Sequence, residues 1–195
     1  MKILLVYSHP NPGSFNHAIK ETIASELTVC GHDVKVRDLY AIGFDPVLKS
    51  TDFLLAQQGK VADDVKLEQD FIVWSDMVVF VHPVWWASMP AILKGYIDRV
   101  FTHGFAYAID ENGLRGLLSG KKAIILSTTG ADEKTYTDTG MFKSIKLAID
   151  GGIFAFCGFE VIEHKFLTSV PYVSGEERKK MLEQVVAVAR TLAVN

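Results

Sequence analysis

Hydrophobic residues cluster along this chain in two alternating patterns. KILLVYS (2–8), MVVFV (77–81) and KKAIILS (121–127) are short, nearly unbroken apolar runs rich in β-formers. Such runs mark strands covered on both faces. DVKVRDL (33–39) alternates polar and apolar residues, as a strand nearer a sheet edge does, and FEVIEHKFL (159–167) reads as a last strand. Between these runs the period becomes helical. Ser14 is placed to cap a helix from Phe15 to Val29, with Ala18, Ile19, Ile23 and Leu27 on one side and Gly31 as its stop. Helical spacing returns over 65–74. Pro90 suits the first position of a helix whose stripe is Ile92, Leu93, Tyr96, Ile97, Val100 and Phe101. Residues 141–156 form an apolar-rich helical stretch and 174–193 a closing amphipathic helix. Residues 40–64, with Gly43, Pro46 and Gly59, are irregular. A segment that long is functional or carries short helices of its own.

Five strands separated by helices imply an α/β architecture, a parallel sheet with helices on both faces. No repeat, linker or low-complexity segment divides the chain, so residues 1–195 are expected to form one domain. In such sheets ligands bind beyond the carboxyl ends of the strands, where strand order reverses. The segments that matter are therefore the loops 8–16, 40–64, 82–89 and 128–140.

Composition narrows the partners. The chain has 195 residues, 49% of them hydrophobic and 22% charged, with a net charge of −3. That charge gives no basis for a nucleic-acid or membrane partner held electrostatically. The apolar region 77–93 is broken by His82, Pro83, Ser88 and Pro90 and does not span a bilayer. The start MKILLVYSHP lacks a cleavage site and is too short in its apolar part for a signal peptide. Cys30 and Cys157 are isolated thiols without metal-ligand spacing, which points to structural cysteines in a reducing, cytoplasmic setting.

Each ligand-edge loop admits a plain and a chemical reading. SHPNPGSFNHA (8–18) is neither a dinucleotide fingerprint nor a P-loop. Ser8, Ser14 and Asn16 nonetheless offer donors at a helix start whose free N–H groups suit an anion, and His9 adds a donor that can become charged. The alternative is an ordinary capped turn. Trp85 and Trp86 follow Pro83 directly. Adjacent side chains point apart, so one core does not easily take both. Either they bury separately, in cores or a subunit interface, or they lie against a flat aromatic ligand. STTGADEKTYTDTG (127–140) brings hydroxyls, bare backbone and Tyr136, whose hydroxyl can stabilise a developing anion; the alternative is a polar surface loop. No nucleophile elbow, catalytic triad or metal-ligand pair is evident. His17, His32 and His164 are scattered, and Asp98 and Arg99 read as ion-paired structure. Sites of this kind leave the chemistry to a bound cofactor.

Five blocks, HP…SFN.A.K (9–20), DLYAIGFDPVL (38–48), HPVWW…PAILKGYIDRVFTHGFAY (82–107), TTG (128–130) and GIFAFCGFEVIE (152–163), resemble the flavodoxin-like NAD(P)H:quinone oxidoreductases of the DT-diaphorase type. The resemblance is collinear over nearly the whole chain, and 83–107 is its most specific part. It implies a sheet of order 2-1-3-4-5 and a homodimer with a shared active site. Hydride would pass from NADH or NADPH through FAD, or FMN, to a quinone or similar flat electrophile. By motif, His9, Ser14, Phe15 and Asn16 would hold the flavin phosphates and adjoining groups. Pro83, Val84, Trp85 and Trp86 would run along the flavin ring. Thr128, Thr129, Gly130 and Ala131 would meet its other polar edge, with Tyr136 and Gly130 as the catalytic groups. Tyr107 and Phe156 would close the substrate pocket from the partner subunit.

The departures from the family pattern are specific. Phe142 stands where DT-diaphorase has a histidine, so a Tyr–His relay is not available to Tyr136. Ala87 replaces a phenylalanine and Ile109 a second tyrosine, which implies a wider, less aromatic pocket. The SFN turn leans toward FAD, and a shortened 53–64 leans toward FMN. A regulatory flavin module, like the potassium-efflux ancillary proteins of the same group, and a one-electron flavodoxin carrier are the alternative functions.

Overall fold

The computed structural model describes residues 1–111 and 113–192. Strands β1 (Lys2–Tyr7), β2 (Asp33–Asp38), β3 (Met77–Pro83), β6 (Lys122–Thr128) and β7 (Glu160–Leu167) form one parallel sheet in the order β2-β1-β3-β6-β7. That is the expected 2-1-3-4-5 arrangement once a separate antiparallel hairpin, β4 (Tyr107–Asp110) and β5 (Gly113–Gly116), is set aside. β2 lies at the edge, as its alternation implies, and the fully buried β3 at the centre.

Alternate residues of each central strand feed two different cores. Leu4, Val6, Val78, Phe80, Ala123 and Ile125 pack with Ile72 of α3 (Asp63–Trp74), with Leu93, Tyr96 and Ile97 of α4 (Ala91–Val100), and with Phe154. Ile3, Leu5, Tyr7, Val79, Val81, Ile124 and Leu126 pack with Ile19, Ile23 and Leu27 of α1 (Phe15–Val29) and with Val185 and Ala189 of α7 (Gly175–Thr191). Each such side chain contributes about 1.5–3 kcal/mol when fully buried.

Ends are set by local chemistry. Ser14 Oγ accepts from the His17 N–H at 3.2 Å and starts α1, and Gly31, at φ 83°, follows its end. Ser174 and Glu177 cap each other's backbone at the start of α7; position 193 of that expected helix lies outside the described residues. Pro90 sits one position earlier than expected. Its ψ of 150° keeps it extended, so it precedes α4 rather than opening it.

Three segments carry detail that the sequence pattern does not locate. Residues 40–64 contain α2 (Ser50–Gln57), which buries none of its side chains and so leaves no apolar stripe to read. It is held from α4 instead. The Arg99 guanidinium donates to Asp52 and Asp64 and, at 2.8 Å, to the Asp45 carbonyl. Gly95 allows that approach, because a Cβ there would lie 2.1 Å from the Pro46 carbonyl oxygen. Residues 128–140 include α5 (Glu133–Asp138), capped by Asp132. The 141–156 stretch is α6 (Met141–Lys146) continued by a π-helical turn, Leu147–Ala155, in which Phe156 N–H bonds back five residues to Gly151 O at 3.1 Å. Cys157 is a buried free thiol pushed up to about 11 by desolvation, an inert packing residue. Among the described residues, no helix is long and apolar enough to cross a membrane.

Candidate functional site at the carboxyl edge of the sheet

Loops far apart in sequence meet where β1, β3 and β6 end. Asn16 Nδ2 donates to Thr128 Oγ1 at 2.8 Å, joining the first loop to the loop after β6. Val84 N–H donates to the Thr128 carbonyl at 2.7 Å, joining that segment to the loop after β3, and Ser8 N–H donates to Val81 O of β3 itself at 3.1 Å. The imidazole of His9 lies 5.7 Å from the indole of Trp85. Thr129 Oγ1 donates to Ala131 O at 2.8 Å, which folds the TTG segment over. His9, Ser14, Asn16, Pro83, Val84, Trp85 and Thr128–Ala131 are therefore one locus. The Phe15 ring packs against the α1/α7 core, which leaves its backbone N–H at the helix start for a ligand.

The chemistry of that locus is that of a binding shelf. Ser8 Oγ and Asn16 Oδ1 are buried and lack hydrogen-bond partners within the protein. An orphan of this kind costs about 1–3 kcal/mol unless something supplies the partner. A Cβ on Gly130 would meet nothing within 4 Å, and no left-handed backbone requires glycine there, so the space above it is open to a ligand. His9 Nδ1 accepts the Asn11 N–H at 3.1 Å and burial lowers its pKa, so it presents a neutral Nε2–H rather than the charged donor the sequence allows. Phosphate at the start of α1, hydroxyls against Ser8 and Asn16, and a flat ring above Gly130 would fit these groups.

The tryptophan turn is tight and strained. Trp85 N–H bonds to Ser88 O at 2.9 Å and Ser88 N–H to Trp85 O at 3.1 Å. Between them Trp86 and Ala87 both occupy the left-handed region, at φ 51° and 57°. Two-residue turns of this type normally take Asn or Gly, and other residues pay about 1–2 kcal/mol each. Such strain concentrates at functional sites. The turn separates the two indoles: Trp85, 41% exposed, leans on His9, while Trp86 is 101% exposed.

The profile of a family described as flavodoxin-like fold matches residues 1–192. The chain is 36% identical over 184 residues to the uncharacterized NAD(P)H oxidoreductase of Haemophilus influenzae, covering 94% of this chain and 91% of that one. It is 35% identical over 201 residues to the human ribosyldihydronicotinamide dehydrogenase [quinone], covering 93% and 87%. The NAD(P)H:quinone oxidoreductase from Methanothermobacter marburgensis superposes with a TM-score of 0.88 at 28% identity, covering 98% of each chain. The chain belongs to the flavodoxin-like NAD(P)H:quinone oxidoreductases. It is an oxidoreductase of the NAD(P)H dehydrogenase (quinone) class.

Within that family the remaining candidates fall into two groups. Tyr136, on α5, packs its ring 5.1 Å from Phe142. Phe142 in turn lies 4.5 Å from Phe166, which stacks 4.3 Å from His164. Tyr136 thus heads an aromatic file that runs through Phe142 and Phe166 to His164. Tyr107 and Phe156 do meet, 5.4 Å apart, with the exposed Ile109 beside them on β4. No hydrogen bond or ring contact joins this second group to the TTG–tryptophan locus among the described residues.

Sequence reasoning missed one cluster. His164, read from the sequence only as an ordinary surface or packed residue, has its side chain fully buried, with Asp150 and Ser127 at its two ring nitrogens and His82 beyond Ser127. The available signal was the pair of polar residues, His82 and Ser127, at the ends of strands buried on both faces.

Proposed function

We propose that this chain is a flavin-dependent NAD(P)H:quinone oxidoreductase, holding FAD, with FMN as the alternative, at the carboxyl edge of its sheet. A flavin bound there would supply the redox chemistry, hydride transfer from NAD(P)H and two-electron reduction of a quinone or similar flat electrophile. The carrying observation is the pair of orphaned buried atoms, Ser8 Oγ and Asn16 Oδ1, at the same sheet edge as the open position at Gly130.

Each residue then has a physical task. The capped start of α1, with Ser14, the Phe15 and Asn16 N–H groups and His9 Nε2–H, holds the phosphates. The backbone of Pro83–Trp86 aligns the ring on one edge and that of Thr128–Ala131 on the other. The Gly130 N–H and the Tyr136 hydroxyl would be the donors that stabilise negative charge on a flavin held there. Phe142 supplies no proton, so Tyr136 acts without a histidine partner. Trp86 and Ala87 line the slot into which nucleotide and acceptor enter in turn. The separation of Tyr107, Ile109 and Phe156 from the shelf supports a homodimer in which a second copy brings that group over the ring. The whole chain acts as one domain in the cytoplasm.

Steady-state turnover tests this reading. Menadione reduction by NADH or NADPH should run far faster with the flavin-loaded protein than with the same concentration of free flavin. A rate no higher than free flavin would overturn the enzymatic reading and favour a regulatory flavin module.

A further inference from the structure

A polar chain crosses the apolar face of the sheet directly below the tryptophan turn. Asp150 Oδ1 lies 2.6 Å from His164 Nδ1, and His164 Nε2 3.1 Å from Ser127 Oγ. Ser127 Oγ lies 3.3 Å from His82 Nε2, and His82 Nδ1 2.9 Å from the Pro83 carbonyl oxygen. The members come from the π-helical turn, β7, β6 and β3. Register brings them together: His82 pairs with Ser127, and His164 pairs with Ile125, two residues before Ser127 and on the same face. His82, Ser127 and the His164 side chain are buried, and Asp150 forms the partly exposed end. Carboxylate, imidazole and hydroxyl stand in the order found in serine hydrolases. Ser127 is fully buried, however, and its hydroxyl is committed to His82, so no substrate carbonyl reaches it.

The proton positions follow from one end. A carbonyl only accepts, so His82 Nδ1 carries a hydrogen and donates. Burial, with His164 nearby, holds His82 down at about 4; the ring is neutral and Nε2 accepts. Ser127 has a single proton, which goes to His82 Nε2, so its oxygen accepts from His164 Nε2–H. His164 Nδ1 faces the Asp150 carboxyl at the far end of the chain. From His164 to Pro83 each link has one hydrogen and one acceptor, and every donor points toward Pro83.

We propose that Asp150, His164, Ser127 and His82 are positioning residues whose one-way hydrogen-bond chain fixes the Pro83 carbonyl and, through it, the strained Val84–Ser88 turn that presents Trp86 to the flavin. A turn with two non-glycine residues at positive φ persists only where its surroundings over-determine it. The Val84–Thr128 bond holds the turn from above, and the His82–Pro83 bond holds it from below. The final clause rests on the proposed flavin site; the effect on the turn does not.

The test uses flavin-free and flavin-loaded protein with the variants Ser127→Ala, Ser127→Thr and Asp150→Asn. In the flavin-free protein, imidazole ¹⁵N shifts should place the His82 hydrogen on Nδ1. In a Trp74→Phe/Trp86→Phe background, which leaves Trp85 as reporter, Ser127→Ala should shift the indole emission. Ser127→Thr, which keeps the hydroxyl, should restore it. In the loaded protein Ser127→Ala should weaken flavin binding about tenfold, the scale of one lost buried hydrogen bond, and Asp150→Asn by less. Asp150→Asn, at the partly exposed end, serves if Ser127→Ala does not fold. A His82 hydrogen on Nε2, or unmoved Trp85 emission and flavin affinity in both variants, would overturn the proposal. A wild-type protein that takes up no flavin would defeat the cofactor assignment instead, and the ¹⁵N shifts and Trp85 emission would still decide the network.

Discussion

Asn16 donates its side-chain amide to the hydroxyl of Thr128 at 2.8 Å, across 112 residues of sequence, and both side chains are buried. This bond sets the spacing between the start of α1 and the TTG segment. Thr128→Val removes the acceptor and leaves the Asn16 amide buried without a partner on either end, since Oδ1 already lacks one. We expect a loss of about 1–3 kcal/mol in urea unfolding of the flavin-free protein. A double cycle with Asn16→Ala should show strong coupling between the two sites. Additive effects would mean that the bond does not hold the loops.

Trp86 and Ala87 should separate stability from function. Trp86 is fully exposed, so Trp86→Ala should leave folding stability nearly unchanged while weakening nucleotide and acceptor kinetics. Trp85→Ala, which removes the contact with His9, should have the larger effect on stability and the smaller one on kinetics. Ala87→Gly relieves a left-handed residue at φ 57° and should stabilise the flavin-free protein by about 1 kcal/mol, read as a rise in its melting temperature.

His82 makes stability depend on pH in a defined window. Its ordinary value is 6.5, and in the folded protein burial holds it at about 4. Above pH 6.5 neither state binds the proton and the native state keeps its full stability from this group. As pH falls from 6.5 to 4 the unfolded chain takes up a proton that the native protein refuses, so stability drops. Below 4 both states are protonated and the loss, about 3 kcal/mol, is complete. His82→Gln should flatten that part of the stability profile relative to wild type. Parallel profiles would contradict it.

Arg99 should be the tie that orders residues 40–64. Its side chain is nearly buried, and it bridges Asp52 on α2, Asp64 on α3 and the Asp45 carbonyl. Arg99→Met should cost about 3 kcal/mol, the low end for breaking a buried ion pair, because the Asp64 side chain is half exposed. Amide exchange should quicken first in α2, which has no buried side chains of its own to hold it.

The legible parts of the fold were those written in a single period. The runs at β1, β3 and β6 are apolar because both faces are covered, and Ser14 and Gly31 bracket α1 by ordinary capping chemistry. α2 was hidden because it buries nothing, and the β4–β5 hairpin because β5, GLRG, is exposed and does not alternate. The ligand edge was legible for a topological reason. Once three parallel strands are placed, the loops after them converge, and 8–16, 82–89 and 128–131 do meet. The His82–Ser127–His164–Asp150 chain was not legible, because its members share a sheet face through register rather than sequence spacing. The ring of Phe15 went to the core for a similar reason: it stands at the first helical position on the side facing the α1/α7 core.

Anaerobic titration of the purified protein tests the central claim most directly. After the bound chromophore is extracted and identified as FAD or FMN, the loaded protein is titrated with NADH and with NADPH while its visible absorbance is followed. One equivalent of the preferred nucleotide should bleach the flavin band in a single two-electron step, and one equivalent of quinone should restore it. Protein that binds neither flavin, or whose bound flavin neither nucleotide reduces, would contradict the assignment of the carboxyl-edge locus as a quinone reductase site.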